Sequence, residues 1–303
     1  MRNDSNEKEY GTSWDVLTLI NRKMALQNPA LQRISRFIID NPVRCKSMTI
    51  RELSLGCGVA ESTVTRFVKE IGFASFAQLK IKIAESIINQ KNRAPGLEPH
   101  VFENITSTDS VDAIFDKLIR RNVNMLSETK LLVDAEKYES AARAIEQASL
   151  LAFVCIGSSA IAAEEAVMRF TRSGKKCIFF RDNSIQLMTS AILGKKDVLI
   201  GISNSGSTMS VVDSLRHARE NGVITVGITA FPDSPMAKTA EITLFSSNSL
   251  SASQAVDRWE NTSSKISQLL VIDALYGLYA SRNENRIKKH LADTYKSVSH
   301  TRE

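Results

Sequence analysis

The sequence predicts an all-α domain followed by an α/β domain whose five-stranded parallel sheet is flanked by helices. Three observations carry that prediction. At 303 residues the chain exceeds the size of one ordinary core, which points to two domains. Ahead of residue 150 the apolar residues recur at helical spacing, whereas from Leu150 short apolar runs alternate with helical patterns, as in a parallel sheet covered on both faces. The charge divides with the rhythm. Residues 1–93 hold 15 Lys and Arg against 9 Asp and Glu, residues 94–303 hold 24 against 24, and the whole formal excess of +6 therefore lies in the first third.

Residues 1–13 are polar and read as a flexible tail. Leu17, Ile20 and Met24 set a first helix, and Leu31, Ile34, Phe37 and Ile38 a second that closes before Pro42. Two short helical patterns follow, split by GCGV. The first opens on Thr49 with Glu52 three residues on, a capping box in which hydroxyl and carboxylate each satisfy a backbone N–H. It turns Ile50, Leu53 and Cys57 inward, and Gly56 or Gly58 permits a sharp turn. In the next helix Val64, Phe67, Val68 and Ile71 form one apolar stripe, which leaves Ser62, Thr63, Thr65, Arg66 and Lys69 on the opposite surface. This is a helix-turn-helix pattern. Its second helix offers its N-terminal residues to base edges in a major groove, while Arg and Lys reach phosphate or guanine. With the local positive excess it points to DNA, with Thr49 and Arg51 as contacts from the first helix; an ordinary surface helix pair is the alternative. Helical residues in ASFAQLKIKIAESII complete a domain over 14–90, and residues 91–110, with Pro95, Gly96 and Pro99, read as a linker.

The second domain spans 111–285. It opens on helical patterns with Ile114, Leu118, Val123 and Leu126, then Ala141, Ala144, Ile145 and Ala148. The strand candidates are LLAFVCI, CIFF, DVLIGIS, VITVGIT and EITLFS, and residues 286–303 read as a C-terminal tail. Parallel sheets bind ligands beyond the carboxyl ends of their strands. There, after the third strand, stand Ser203, Asn204, Ser205, Gly206, Ser207 and Thr208, followed by a helix with Met209, Val212 and Leu215 inward. Free backbone N–H groups at such a helix start favour an anion, Gly206 lets the backbone approach closely, and hydroxyls donate to phosphate oxygens. A second turn carries Gly157, Ser158 and Ser159. Helix capping alone explains Ser158 or Ser207, but not four hydroxyls in six residues. Neither turn has the glycine spacing of a dinucleotide fingerprint or the Lys of a Walker loop, so no nucleotide cofactor is expected.

No apolar run approaches the roughly 20 residues of a membrane span, and no apolar leader opens the chain, so a cytoplasmic protein is expected. Cys45, Cys57, Cys155 and Cys177 lie far apart and read as small buried hydrophobes. The four histidines are equally scattered, and no metal site is expected.

The stretch MTIRELSLGCGVAESTVTRFVKEIGFASFAQLK resembles the N-terminal domain of RpiR-type bacterial transcription regulators, with their I-x-x-L-A, V-S-x-x-T-V-x-R-F, L-G-F and F-K elements. Ala60 replaces the Ser of that pattern, and Leu79 precedes Lys80 where Phe is common. The later turns resemble the sugar isomerase (SIS) domain. Ser203-Asn204-Ser205-Gly206-Ser207-Thr208 matches its S-x-S-G-x-T, and Gly157-Ser158-Ser159 its G-S-S. ITAFPDSPMAKTAEITL and SSKISQLLVIDALYGLY are similar to two further family stretches. The resemblance implies a regulator of carbohydrate metabolism genes that binds operator DNA, takes a small phosphorylated sugar as effector, works as a dimer or tetramer and is not an enzyme. Where relatives often read D-x-H after the second strand, this chain has Asp182-Asn183-Ser184. Asp182 is thus a candidate for a sugar hydroxyl or a solvated loop acid.

The rival reading is a sugar-phosphate isomerase with an appended helical domain, which needs a base near the substrate carbons. His217 lies nine residues past Thr208, roughly 13 Å along a helix. Glu164 and Glu165 read as a solvated helix face. Glu260, in the loop before the final helix, is a candidate to fold over the pocket as a ligand-orienting group. A scaffold that binds another protein through its basic end is the third class.

Overall fold

The computed structural model describes residues 16–24, 27–91, 105–248 and 264–299. The predicted tail at 1–13, Pro95, Gly96 and Pro99 of the linker, and Glu260 lie outside the described residues. Internal contacts divide the chain into residues 1–98 and 99–303.

Among the described residues the first unit has helices and no strand: α1 Val16–Met24, α2 Pro29–Asp40, α3 Pro42–Cys45, α4 Ile50–Cys57, α5 Glu61–Ile71 and α6 Phe76–Lys91. Asn28 starts α2, its side chain accepting from the N–H groups of Ala30 and Leu31, with Pro29 in the first turn where no N–H is needed. Ile20, Leu31, Ile34, Ile38, Leu53, Val64, Phe67, Ile71, Leu79 and Ile83 are buried together as the core. The helical spacing selected all of these but Leu79 and Ile83, and of the other positions it turned inward Met24, Phe37 and Ile50 are only half-buried. The Phe37 ring lies on Gly56, where a Cβ would come within 2.9 Å of it.

The second unit opens with α7 Val111–Leu131 and α8 Ala135–Gln147, then carries β1 Leu150–Cys155, a 3-10 turn Gly157–Ser159, α9 Ala160–Arg172, β2 Cys177–Phe179, α10 Asn183–Ile192, β3 Asp197–Ile202, α11 Met209–Glu220, β4 Ile224–Thr229, α12 Pro235–Thr239 and β5 Ile242–Phe245; α13 Ser264–Arg282 and α14 Glu284–Ser299 follow. All five strand candidates are strands of one sheet in the order β2-β1-β3-β4-β5, and every pairing is parallel. Side chains alternate across it. Leu151, Phe153, Ile200, Ile202 and Ile228 pack with α8, α9 and α13, whereas Ala152, Val154 and Leu199 pack with Val211, Val212, Leu215 and Met236 of α11 and α12.

Two expectations need correcting. Residues 286–299 are helix rather than tail, and α14 buries Ile287 in the sheet's first core. Met209 is 58% exposed, because α11 turns Val211, Val212 and Leu215 inward instead.

Candidate functional site

In the first unit α4 and α5 form the expected pair. The Thr49 hydroxyl accepts from the Glu52 N–H at 3.2 Å, and the Thr49 N–H donates to the Glu52 carboxylate at 2.7 Å, closing the capping box. These bonds hold the Glu52 carboxyl below the usual carboxylate range, the backbone donor contributing most. Gly58 ends α4 at φ +62°, so of the two candidate glycines it is the one that makes the turn. Arg33 of α2 donates to the Cys57 carbonyl at 3.3 Å from the other side. The far end of α5 is held by Lys23, whose ammonium donates to the Glu70 carbonyl at 2.7 Å; burial pulls that lysine below its ordinary range, Glu70 opposing.

Between those anchors Val64, Phe67, Val68 and Ile71 are buried, and Ser62, Thr65, Arg66 and Lys69 are exposed with Thr63 half-buried. Arg51 is exposed on α4. Among the described residues Arg51, Arg66 and Lys69 form no ion pair, so their charge faces outward. Thr65 donates to the Glu61 carbonyl and Thr49 is engaged in its cap.

Ala60 occupies the N-cap of α5 with extended backbone, φ −74° and ψ 153°, and supplies no side-chain bond. Ala60→Ser is expected to stabilise this unit by about 1 kcal/mol, read as a higher melting transition with unchanged DNA affinity. A lower transition would show that the new hydroxyl does not reach the helix N–H groups.

In the second unit strand register decides what meets. Cys155 pairs with Ile202, so the turn after β1 and the turn after β3 leave the same edge of the sheet from adjacent strands. Strand order reverses between β1 and β3, the point where open parallel sheets take ligands. Ser158 is exposed, and Ser159 is buried with its hydroxyl accepting from Gln268 of α13 at 3.2 Å.

The β3 turn sorts its hydroxyls into two sets. Ser203, buried, lies 2.9 Å from the Thr208 hydroxyl and accepts from the Gly206 N–H at 3.1 Å. Ser205 and Ser207 are exposed, joined by a Ser207 N–H bond to the Ser205 hydroxyl at 3.3 Å. The loop is clamped to its neighbours: the Asn204 carbonyl accepts from Ala230 N–H at 3.0 Å and from the Thr229 hydroxyl at 3.2 Å, and the Gly206 carbonyl from Met236 N–H at 2.9 Å. The Asn204 side-chain oxygen is buried without a partner. At Gly206, φ is +63° and a Cβ would lie 2.2 Å from the Ser234 hydroxyl.

Asp182 is exposed and caps α10, accepting from the Ile185 N–H at 2.9 Å. Beside it the buried Gln186 accepts from the Cys155 N–H and donates to the carbonyls of Cys155 and Phe180. It fixes the end of β1 beyond its last pairing with β2, Phe153 with Phe179. Gln186 and the clamp residues Thr229 and Ser234 were not singled out from sequence. The signal for Gln186 is a single amide in the uncharged run SIQLMTSAI.

Other groups stand apart from the turns. Glu164 pairs with Arg181, and Glu165 with Arg169, which also reaches Asp273; a groove there of about 430 Å³ is lined by α9 and α13. A second groove, about 500 Å³, lies between α2 and α4. Burial pushes the thiols up, to about 12 for Cys155 and about 11 for Cys45, Cys57 and Cys177. Among the described residues no group of His, Cys, Asp and Glu could hold a metal, and no helix is long and apolar enough to cross a membrane.

Comparison with known proteins agrees with both halves. Residues 14–90 match the model of the helix-turn-helix domain of the rpiR family, and residues 144–277 that of the SIS domain. An uncharacterised HTH-type transcriptional regulator of Caldanaerobacter subterraneus subsp. tengcongensis is 33% identical across 94% of this chain and 97% of its own. One from Thermotoga maritima is 31% identical across 92% and 98%. Among solved structures the Vibrio vulnificus NanR protein, complexed with ManNAc-6P, superposes with a TM-score of 0.58 at 20% identity, covering 94% of this chain and 98% of that one. The sugar isomerase domain of an RpiR transcription factor from Sphaerobacter thermophilus gives 0.54 at 22%, covering 60% of this chain and 98% of that one. The match runs along nearly the whole length of both curated regulators, and the chain belongs to the rpiR family of HTH-type transcriptional regulators.

Proposed function

We propose that this regulator takes a small phosphorylated sugar at the β1 and β3 turns and that the bound sugar changes its affinity for operator DNA. The observation that carries the reading is the β3 turn itself. Ser203, Thr208, Thr229 and Ser234 hold a loop whose Ser205 and Ser207 hydroxyls remain exposed at the start of α11, beside Ser158. Hydroxyls and helix N–H groups bind a phosphate dianion without a fixed counter-charge, which suits a ligand that must also leave. Asp182 and Glu260 are assigned to the sugar hydroxyls. On the DNA side Ser62, Thr63, Thr65 and Arg66 meet base edges, with Lys69, Arg51 and Thr49 toward the backbone. The NanR protein, which has this fold and is solved in complex with ManNAc-6P, supports the reading.

The isomerase reading is not favoured. The carboxylates of Glu164 and Glu165 are held by Arg181 and Arg169, and His217 is half-buried on α11, about two turns from its start. We assign the chain no catalytic step, and a homo-oligomer, dimer or tetramer, matches paired half-sites in DNA.

Ser205→Ala tests the site. It is expected to weaken binding of the phosphorylated sugar about 10-fold, the scale of one hydrogen bond to a charged group, with operator affinity in the absence of sugar unchanged. Loss of both would show a folding defect, and retention of full sugar affinity would place the phosphate elsewhere.

A further inference from the structure

The helix α7 carries more apolar surface than its own unit covers. Val111, Phe115, Ile119 and Val123 follow one another at every fourth position and are 69%, 61%, 56% and 44% exposed. Only Met125 and Thr129, toward the other end, are fully buried. Four large apolar side chains in one row form a ridge of the kind that packs into the grooves of another helix, and scattered single exposures do not produce such a row.

We infer that this ridge is the surface on which two copies of the chain pair, α7 against α7, antiparallel about a two-fold axis at the level of residue 117. The row is symmetric about that point. Phe115 meets Ile119 of the second copy, and Val111 meets Val123, so each bulky residue opposes an apolar one. Charge selects the direction. Asp112, Asp116 and Arg120 form a parallel row one residue along from the ridge, all exposed and without an ion pair among the described residues. In an antiparallel two-fold pair each such row lies beside its own copy, which brings Asp112 and Asp116 of one chain to either side of Arg120 of the other. A parallel pair would instead set these charges against Ile114 and Leu118. The inference rests on the homo-oligomer reading but names its surface, and it places the two-fold axis on the first helix after the linker.

The experiment uses the full chain. Phe115→Asp and Asp116→Arg are each compared with the parent by light scattering across a dilution series, with circular dichroism to confirm folding. Either single change is expected to halve the mass at concentrations where the parent is intact, through a dissociation constant raised about 100-fold for Phe115→Asp. The triple change Asp112→Arg, Asp116→Arg and Arg120→Asp, which reverses the whole row and again sets each residue 120 between two opposite charges, is expected to restore it. A mixture of a Phe115→Cys chain with an Ile119→Cys chain is expected to cross-link on oxidation, while neither cross-links alone. A parent that is itself monomeric would overturn the homo-oligomer reading and the surface with it. A parent oligomer unaffected by Phe115→Asp, or a triple charge reversal no better than Asp116→Arg alone, would overturn the surface alone. So would loss of protection in the DNA-binding unit without a change in mass, since that unit would then be what covers the ridge.

Discussion

Gly206→Ala is expected to abolish the response to phosphorylated sugar and to destabilise the second unit by about 2–5 kcal/mol, the sum of a left-handed backbone forced on a residue with a Cβ and of overpacking against fixed neighbours. Both causes are visible at this position. The backbone φ is +63°, and the added carbon would fall 2.2 Å from the Ser234 hydroxyl and 2.6 Å from that of Thr229. Neither neighbour is free to yield, because Ser234 caps α12 through the Ala237 N–H and Thr229 donates to the Asn204 carbonyl. Relieving the clash means moving the loop that presents Ser205 and Ser207. Differential scanning calorimetry should show the transition of the second unit lowered and that of the helical unit in place. A variant with unaltered stability and sugar binding would mean that the turn is not the rigid cradle described above.

Arg66→Ala is expected to weaken operator binding by roughly 10- to 100-fold, the worth of a bidentate contact to guanine. The melting temperature should hold, because the side chain is exposed and makes no ion pair among the described residues. The salt dependence separates two modes of contact. If Arg66 meets a phosphate, binding weakens evenly across sequences and the slope of log affinity on log salt falls by about 1; if it meets a base, discrimination at one position is lost. Unchanged operator affinity would remove α5 from the interface.

The helices and strands were legible in sequence wherever burial is periodic. Leu31, Ile34 and Ile38, the stripe from Val64 to Ile71, and all five apolar runs of the sheet stand where spacing put them, because one buried face imposes one period. The capping box at Thr49 was legible for a similar reason: two residue types at fixed separation perform one local task. What spacing does not encode is which side of a short helix meets the body, so Met209 was placed inward and is exposed. It also does not show where a hydrophobic pattern goes uncovered. Val123 carries the helical period of α7 as faithfully as Met125, yet one is 44% exposed and the other 1%. At the candidate site the exposed hydroxyls were readable as a cluster, but their division of labour was not. Ser203 and Thr208 serve the loop, and the clamp formed by Thr229, which ends β4, and Ser234, the N-cap of α12, lies well beyond the turn in sequence and meets it because β4 pairs with β3.

The central claim is that sugar phosphate and operator are linked through one protein, and linkage requires the ligand to prefer one of two states. The direct measurement is the affinity of the full chain for an operator duplex, selected from random DNA, in the presence of a panel of sugar phosphates and amino-sugar phosphates, each beside its unphosphorylated sugar. One phosphorylated compound is expected to change the operator dissociation constant by about 5- to 150-fold, in wild type but not in Ser205→Ala, while its unphosphorylated counterpart does nothing. A sugar phosphate that binds the chain and leaves the operator dissociation constant unmoved, or an equal effect from the unphosphorylated sugar, would contradict the account.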